Sequence, residues 1–301
     1  MNSRVARGLL HRISHRPFST SLPRSQAQLA YQAWPPRDDS TAIDAGRSPI
    51  IFMHGLFGSK QNNRSISKAL ASQLKTRIYA IDLRNHGDSP HLPEHNYTAM
   101  ANDVENFIDE HKLEKPVLIG HSMGAKTAMA VALRSPSLIS SLIAVDNAPV
   151  SASLGSQFVK YVKGMQEIES ANVTKQSDAD RILQQYEESL PIRQFLLTNL
   201  IRATKDGSNT LKFRVPVNLL GASLDEMAAF PFTPASTPED VKFDGPALFI
   251  RGTRSGYVRD KALPTIERFF PNYRVVDVEA GHWLISENPG AFRDAVVEFL
   301  R

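Results

Sequence analysis

Five residues, Gly120-His121-Ser122-Met123-Gly124, stand between an apolar run, Pro116-Val117-Leu118-Ile119, and a helix-forming stretch from Ala125 to Leu133. A serine on so sharp a strand-to-helix turn has a strained backbone, and its hydroxyl is lifted clear of the sheet. Gly120 and Gly124 remove the side chains that would collide in the turn. The helix start that follows aims unsatisfied N–H groups, and the positive end of its dipole, at any oxyanion formed on Ser122. The chemistry this implies is nucleophilic acyl transfer. The chain has no cysteine, which excludes a thiol nucleophile, disulfides and thiolate–metal sites.

A serine hydroxyl needs a base. Among nine histidines, His282 has the right setting: the strand Arg274–Val278 ends just before it, and Gly281-His282-Trp283 opens a loop ahead of the last helix. His121 sits in the turn itself, where its side chain should point away from the neighbouring hydroxyl. The orienting acid has two candidate positions. The loop after the strand Ala247–Arg251 reads Gly252-Thr253-Arg254-Ser255-Gly256-Tyr257-Val258, and the position where an acid is expected holds Gly256. Asp260 follows, at the start of the next helix, where an aspartate needs no catalytic role. The strand Leu142–Val145 ends in Asp146. In a sheet where this strand adjoins the nucleophile strand, a carboxylate at its tip reaches the same imidazole. The assignment is therefore Ser122, Asp146 and His282, with Asp260 in reserve. Oxyanion donors are expected from the Met123 N–H and the Leu56 N–H, the latter in the loop His54-Gly55-Leu56-Phe57-Gly58-Ser59. His54 reads as a structural histidine bonding neighbouring loops.

The elements that must hold these residues alternate. Strand candidates are Pro49–Met53, Arg77–Ile81, Val117–Ile119, Leu142–Val145, Ala247–Arg251 and Arg274–Val278. Helix candidates between or after them are Ile66–Leu74, Tyr97–His111, Lys261–Phe270 and Pro289–Leu300. Continuous apolar strand runs indicate a mostly parallel central sheet covered by helices on both faces, an α/β fold. Residues 31–149 and 244–301 form its core. Residues 150–243 differ: helical patterns at Gln157–Glu169, Asp178–Ser189 and Ile192–Ala203, one short strand at Leu211–Phe213, and a proline-rich end. An insertion at the carboxyl ends of strands predicts a helical cap over Ser122. Its Phe158, Tyr161, Phe195 and Leu196 read first as packing residues. Asp82, His86, Asp88, His91 and His95 cluster in sequence but read as a structural turn, with Arg84 holding carboxylates, rather than as a metal site. No cofactor is called for.

With 42% hydrophobic and 22% charged residues, the composition is that of an ordinary globular chain. The net charge of +4 belongs to one end: Arg4, Arg7, Arg12, Arg16, Arg24 and Arg37 precede the first acid, Asp38, and the remaining 29 basic side chains meet 31 acidic ones. Nothing in the body therefore suggests nucleic acid as a partner. Residues 1–30, basic, acid-free and amphipathic, have the character of a mitochondrial transit peptide with matrix delivery. No run is long enough for a transmembrane segment.

Together these residues resemble the α/β-hydrolase superfamily and, within it, the group of α/β-hydrolase domain-containing protein 11, its fungal mitochondrial relatives, bacterial short-chain esterases and yeast ethanol acetyltransferases. The resemblance rests on His54–Ser59, Asp82–Pro90, Gly120–Lys126, Val145–Pro149, Phe249–Gly252 and Gly281–Trp283, and spans about residues 45–301. It implies that the residue matching Asp146 is the acid, and that the substrates are small-molecule acyl esters or thioesters, with transfer to an alcohol in some relatives. Ala125, where glycine is usual, and Asn147, where an apolar residue is common, depart from the pattern. The expected activity is a serine esterase or thioesterase, the alternative an alcohol acyltransferase using the same three residues. A non-catalytic binding or chaperone-like protein is a third possibility, against which the intact Ser, Asp and His speak. Protein partners are not readable from the sequence.

Overall fold

The computed structural model describes residues 26–35, 44, 46–152, 155–203 and 209–301. Residues 1–25 of the expected leader lie outside these. In chain order the strands are β1 (Tyr31–Trp34), β2 (Ile50–Met53), β3 (Ile78–Ile81), β4 (Val117–His121), β5 (Ser141–Val145), β6 (Leu200–Arg202), β7 (Leu211–Phe213), β8 (Ala247–Gly252) and β9 (Tyr273–Val278). The helices are α1 (Arg64–Leu74), α2 (Tyr97–Glu110), α3 (Met123–Arg134), α4 (Ser156–Ser170), α5 (Gln176–Leu183), α6 (Leu190–Leu197), α7 (Val217–Ala222), α8 (Leu224–Ala228), α9 (Leu263–Phe269), α10 (Leu284–Glu287) and α11 (Pro289–Leu300).

Seven strands form one sheet in the order β1-β3-β2-β4-β5-β8-β9, parallel except for β1, which runs antiparallel at the edge. The central strands are buried on both faces, as their unbroken apolar runs require. Successive side chains divide between two cores. Ile50 and Phe52 join Ile66 and Leu70 of α1 and Phe292 and Val296 of α11 on one face. Ile51 and Met53 join α2, α3 and α9 on the other. β1 escaped the sequence reading because a four-residue edge strand carries no buried run of its own.

Between β5 and β8 lie α4 to α8 and a two-stranded antiparallel ribbon of β6 and β7. The expected helix Ile192–Ala203 is corrected here. It stops at Leu197, and Leu200–Arg202 pair with Leu211–Phe213 instead. The buried Asn199 side chain marks the break by donating to the carbonyls of Leu196, at 3.3 Å, and of Phe57, at 2.7 Å. Phe158, Tyr161 and Leu196 are buried in the apolar core, while Phe195 packs against Trp283 with ring centroids 4.5 Å apart. The segment is also tied down through Lys126 of α3. Its Nζ donates to the carbonyls of Ala228 and Ala229, both at 2.9 Å. Among the described residues no helix is long and apolar enough to cross a membrane.

Candidate active site

Strand register brings the first two side chains together. His121 of β4 pairs with Val145 of β5, so Ser122 and Asp146 stand side by side one residue beyond the strand tips. The ladder continues past them: Ser122 N–H donates to the Val145 carbonyl at 2.9 Å and Asp146 N–H to the Ile250 carbonyl at 2.8 Å. Both residues then turn with left-handed φ, 54° at Ser122 and 50° at Asp146. Such conformations cost of order 1–3 kcal/mol for a non-glycine residue and persist only where the surroundings impose them. At the turn, a Cβ on Gly120 would collide with the backbone of Gly124, and one on Gly124 would sit 2.7 Å from the carbonyl oxygens of Met53 and His54. Both glycines are therefore needed for α3 to start where it does.

His282 arrives from the loop after β9. That loop lies directly on the end of β8: Thr253 N–H donates to the Val278 carbonyl and Arg254 N–H to the Ala280 carbonyl, both at 2.9 Å. A side chain at Gly252 would strike the Gly281 carbonyl. The imidazole accepts from Ser122 Oγ through Nε2 at 2.9 Å and donates from Nδ1 to Asp146 Oδ2 at 2.7 Å. These partners fix the tautomer, with the proton on Nδ1 and a free lone pair facing the serine. Asp146 is fully buried and receives two more donors, Gly252 N–H at 3.0 Å on Oδ1 and Ser255 Oγ at 2.5 Å on Oδ2. Three donors compensate the cost of burying its charge.

Asp260 is elsewhere. It faces solvent at the N-terminus of a short 3₁₀ turn and pairs with Arg251 at 2.6 Å. The loop after β8 instead supplies donors to Asp146 across the gap between β5 and β8. Sequence reasoning searched that loop for an acid and so missed Ser255. It also missed Tyr257, whose ring stacks on His282 at 4.0 Å with planes 20° apart. The only signal was that both lie in the loop where an acid was sought. Asn147 is a third omission. Its buried amide donates to the Ser122 carbonyl at 3.2 Å and accepts from Ala148 N–H at 2.9 Å, so this departure from the group pattern joins the acid turn to the serine turn.

The loop carrying Leu56 abuts the serine turn: a Cβ on Gly55 would lie 3.3 Å from Ser122 Cβ. Met123 is the first residue of α3, so its N–H has no acceptor within the helix. Two buried histidines hold the Leu56 loop. His54 Nδ1 donates to the Gly55 carbonyl at 2.8 Å while its Nε2 accepts from Leu83 N–H at 3.0 Å. His86 Nε2 accepts from Phe57 N–H at 3.1 Å, at a residue with φ of 62°. Burial holds both below the ordinary histidine range, and His95 is pushed down to about 3. Both ring nitrogens of His54 and of His86 are spent on loop geometry, so neither residue is free to serve as a base. Arg84 forms a bidentate pair with Asp103 at 2.6 and 2.7 Å, while Asp82 and Asp88 both pair with Lys60, at 2.5 and 2.6 Å. Arg84 thus holds Asp103 rather than the carboxylates of its own turn, and Asp88 is also reached by Arg214 at 3.2 Å. Among the described residues no group of three or more His, Asp or Glu could hold a metal ion. His121 turns away from Ser122 Oγ: its Nε2 donates to the His282 carbonyl at 2.8 Å, and burial, then the neighbouring His282, lowers it to about 4.

Residues 48–289 match the family described as alpha/beta hydrolase fold. The chain is 42% identical over 284 residues to a Saccharomyces cerevisiae protein named "Probable alcohol acetyltransferase", covering 88% of this chain and 81% of that one. It is 35% identical over 308 residues to the mouse protein named sn-1-specific diacylglycerol lipase ABHD11, covering 99% and 97%. A solved structure described as a marine microorganism esterase superposes with a TM-score of 0.77 at 30% identity, covering 90% of this chain and 98% of that one. The seven-stranded sheet, the serine turn between β4 and α3 and these likenesses agree: the chain belongs to the α/β-hydrolase fold family.

Proposed function

We propose that this protein is a serine hydrolase that cleaves carboxylic esters or thioesters through an acyl-enzyme. The observation that carries the reading is the continuous relay from Ser122 Oγ to His282 Nε2 at 2.9 Å and from His282 Nδ1 to Asp146 at 2.7 Å, on a strained serine. His282 removes the hydroxyl proton as Ser122 attacks the acyl carbon. The buried Asp146 carboxylate stabilises the imidazolium and holds its orientation. The Met123 and Leu56 N–H groups take the oxyanion, each contributing on the order of 10²–10³ in rate. His282 then returns its proton to the leaving oxygen of an ester or the leaving sulfur of a thioester, and the same base activates the acceptor that releases the acyl group.

Residues 150–243 act as the cap in this reading, with 31–149 and 244–301 as the catalytic core, and the basic leader directs the protein to the mitochondrial matrix. The relatives' names support two acceptors. Water gives a lipase or esterase, as in the mouse relative's name; an alcohol gives an acyltransferase, as in the yeast relative's name. p-Nitrophenyl esters of graded acyl length, with and without ethanol, test both. A pre-steady-state burst of nitrophenol is expected, and Ser122→Ala should lose roughly 10⁶ in turnover. Retained activity in that variant sinks the proposal. Ethyl ester formed in preference to free acid would select the acyltransferase reading.

A further inference from the structure

The turn that carries the Leu56 N–H is closed by a backbone bond, Gly58 N–H donating to the Gly55 carbonyl at 2.9 Å. Within it Phe57 sits at φ of 62°, a left-handed backbone that a bulky residue keeps only where its surroundings impose it. On the core side His86 Nε2 accepts from Phe57 N–H at 3.1 Å. The remaining hold comes from the segment inserted between β5 and β8. The Phe57 ring lies against Phe158 of α4 with centroids 6.4 Å apart, and Asn199 Nδ2 donates to the Phe57 carbonyl at 2.7 Å. Asn199 is itself buried and anchored: its amide also reaches the Leu196 carbonyl at 3.3 Å, and its own carbonyl accepts from Arg214 N–H at 2.8 Å, just beyond the β6–β7 ribbon. With carbonyl oxygens as both partners of the side chain, only its NH₂ can face them.

These bonds run in series. A trans peptide holds its C=O and N–H in one plane, pointing opposite ways. Asn199 grips the carbonyl of the Phe57–Gly58 peptide, and the N–H of that peptide grips the Gly55 carbonyl, which His54 Nδ1 also bonds at 2.8 Å. Opposite the Gly55 carbonyl, in the same plane, is the Leu56 N–H. We propose that Asn199 is a positioning residue for the oxyanion hole, fixing through two peptide planes the direction in which the Leu56 N–H points. The inference rests on the serine-hydrolase reading and deepens it. As Ser122 Oγ bonds to the acyl carbon, its proton passes to His282 and the carbonyl electron pair moves onto the carbonyl oxygen. That oxygen is stabilised in proportion to how well its donors are aimed beforehand. Each carbonyl that accepts a bond also polarises the N–H opposite it, so the series strengthens the last donor as well as aiming it. Without the Asn199 amide the Phe57–Gly58 peptide loses its outer hold, and relief of the left-handed φ turns it away from Gly55.

The test compares Asn199→Ala and Asn199→Asp with Arg214→Gln in the full chain. Asn199→Asp keeps the shape and removes both amide protons, and serves should the alanine variant misfold. Arg214→Gln cuts a different contact between the same segment and the core, the solvent-facing pair with Asp88 at 3.2 Å. On p-nitrophenyl acetate, kcat should fall roughly tenfold or more in both Asn199 variants, short of the loss on the order of 10²–10³ for a donor removed outright. Acylation and deacylation both pass through an oxyanion, so both slow together and KM should stay within about twofold. A trifluoromethyl ketone, whose adduct with Ser122 carries the same oxyanion, should bind more weakly by a similar factor. Arg214→Gln should leave all three quantities within about twofold. Unchanged kcat in a folded Asn199 variant, a loss confined to KM, or unaltered affinity for the ketone overturns the assignment while leaving the hydrolase reading intact. Wild-type protein that turns over no ester and whose Ser122 no fluorophosphonate labels would overturn both.

Discussion

Replacing Asp146 by Asn tests the relay where the structure is most specific. The carboxylate accepts three hydrogen bonds, from His282 Nδ1, Gly252 N–H and Ser255 Oγ, at full burial. An asparagine keeps the shape and can still accept from Gly252 N–H through Oδ1. Its NH₂ then faces His282 Nδ1, which must become an acceptor. The ring proton moves to Nε2, where it points at Ser122 Oγ, and the base is lost without disturbance of the packing. Loss of the tautomer is worth about 10⁴ in kcat, or ~5 kcal/mol of transition-state stabilisation. Steady-state hydrolysis of p-nitrophenyl acetate, with circular dichroism as a check on folding, reads this directly. Asp260→Asn removes a solvent-facing partner of Arg251 and should leave kcat within about twofold. A fall of less than tenfold for Asp146→Asn, or a larger fall for Asp260→Asn, would refute the reasoning.

Tyr257→Leu removes the ring stacked on His282 and should lower kcat roughly three- to tenfold with KM little changed, whereas Tyr257→Phe keeps the stack and the rate; equal losses in both would show that the stack plays no part. Gly124→Ala drives a methyl against the carbonyls of Met53 and His54, so urea unfolding should show a loss of about 1–3 kcal/mol together with impaired turnover. His121 and His95 are buried and neutral, with values lowered from 6.5 to about 4 and about 3. Below pH 6.5 the unfolded chain binds protons there that the folded one refuses, so stability present above 6.5 drains away as pH falls toward 4 and then 3. At pH 4.5 each histidine should account for about 2–3 kcal/mol of lost stability, read as a lower urea midpoint; a midpoint unchanged between pH 7 and 4.5 would contradict this.

The centre of the fold was legible because its constraints are local. Apolar runs such as Ile50–Met53 and Leu142–Val145 admit only strands buried on both faces, and Gly120 and Gly124 bracket a turn no other residues would fit. Asp146 could be chosen over Asp260 because adjacency of β4 and β5 puts strand tips at one level, a consequence of topology rather than of any local motif. What escaped depends on how loops lie against one another. Ser255 and Tyr257 owe their positions to the bonds joining the β8 and β9 loops, which no spacing announces. The apolar spacing of Ile192 to Ile201 reads as one helix, and only the tertiary bond from Asn199 to the Phe57 carbonyl explains why it breaks and a strand follows. Asn147 stood out as a departure from the group pattern, but its bond to the Ser122 carbonyl needed the two turns in place.

The central claim is that the Ser122 hydroxyl is made nucleophilic by the imidazole held against it. Intact-mass and peptide mapping after exposure to a fluorophosphonate measures that reactivity without assuming a substrate. One adduct on the peptide containing Ser122 in the wild-type chain, absent in His282→Ala, is the predicted result. An unmodified Ser122 in folded wild-type protein, or labelling that persists undiminished without His282, would contradict the account.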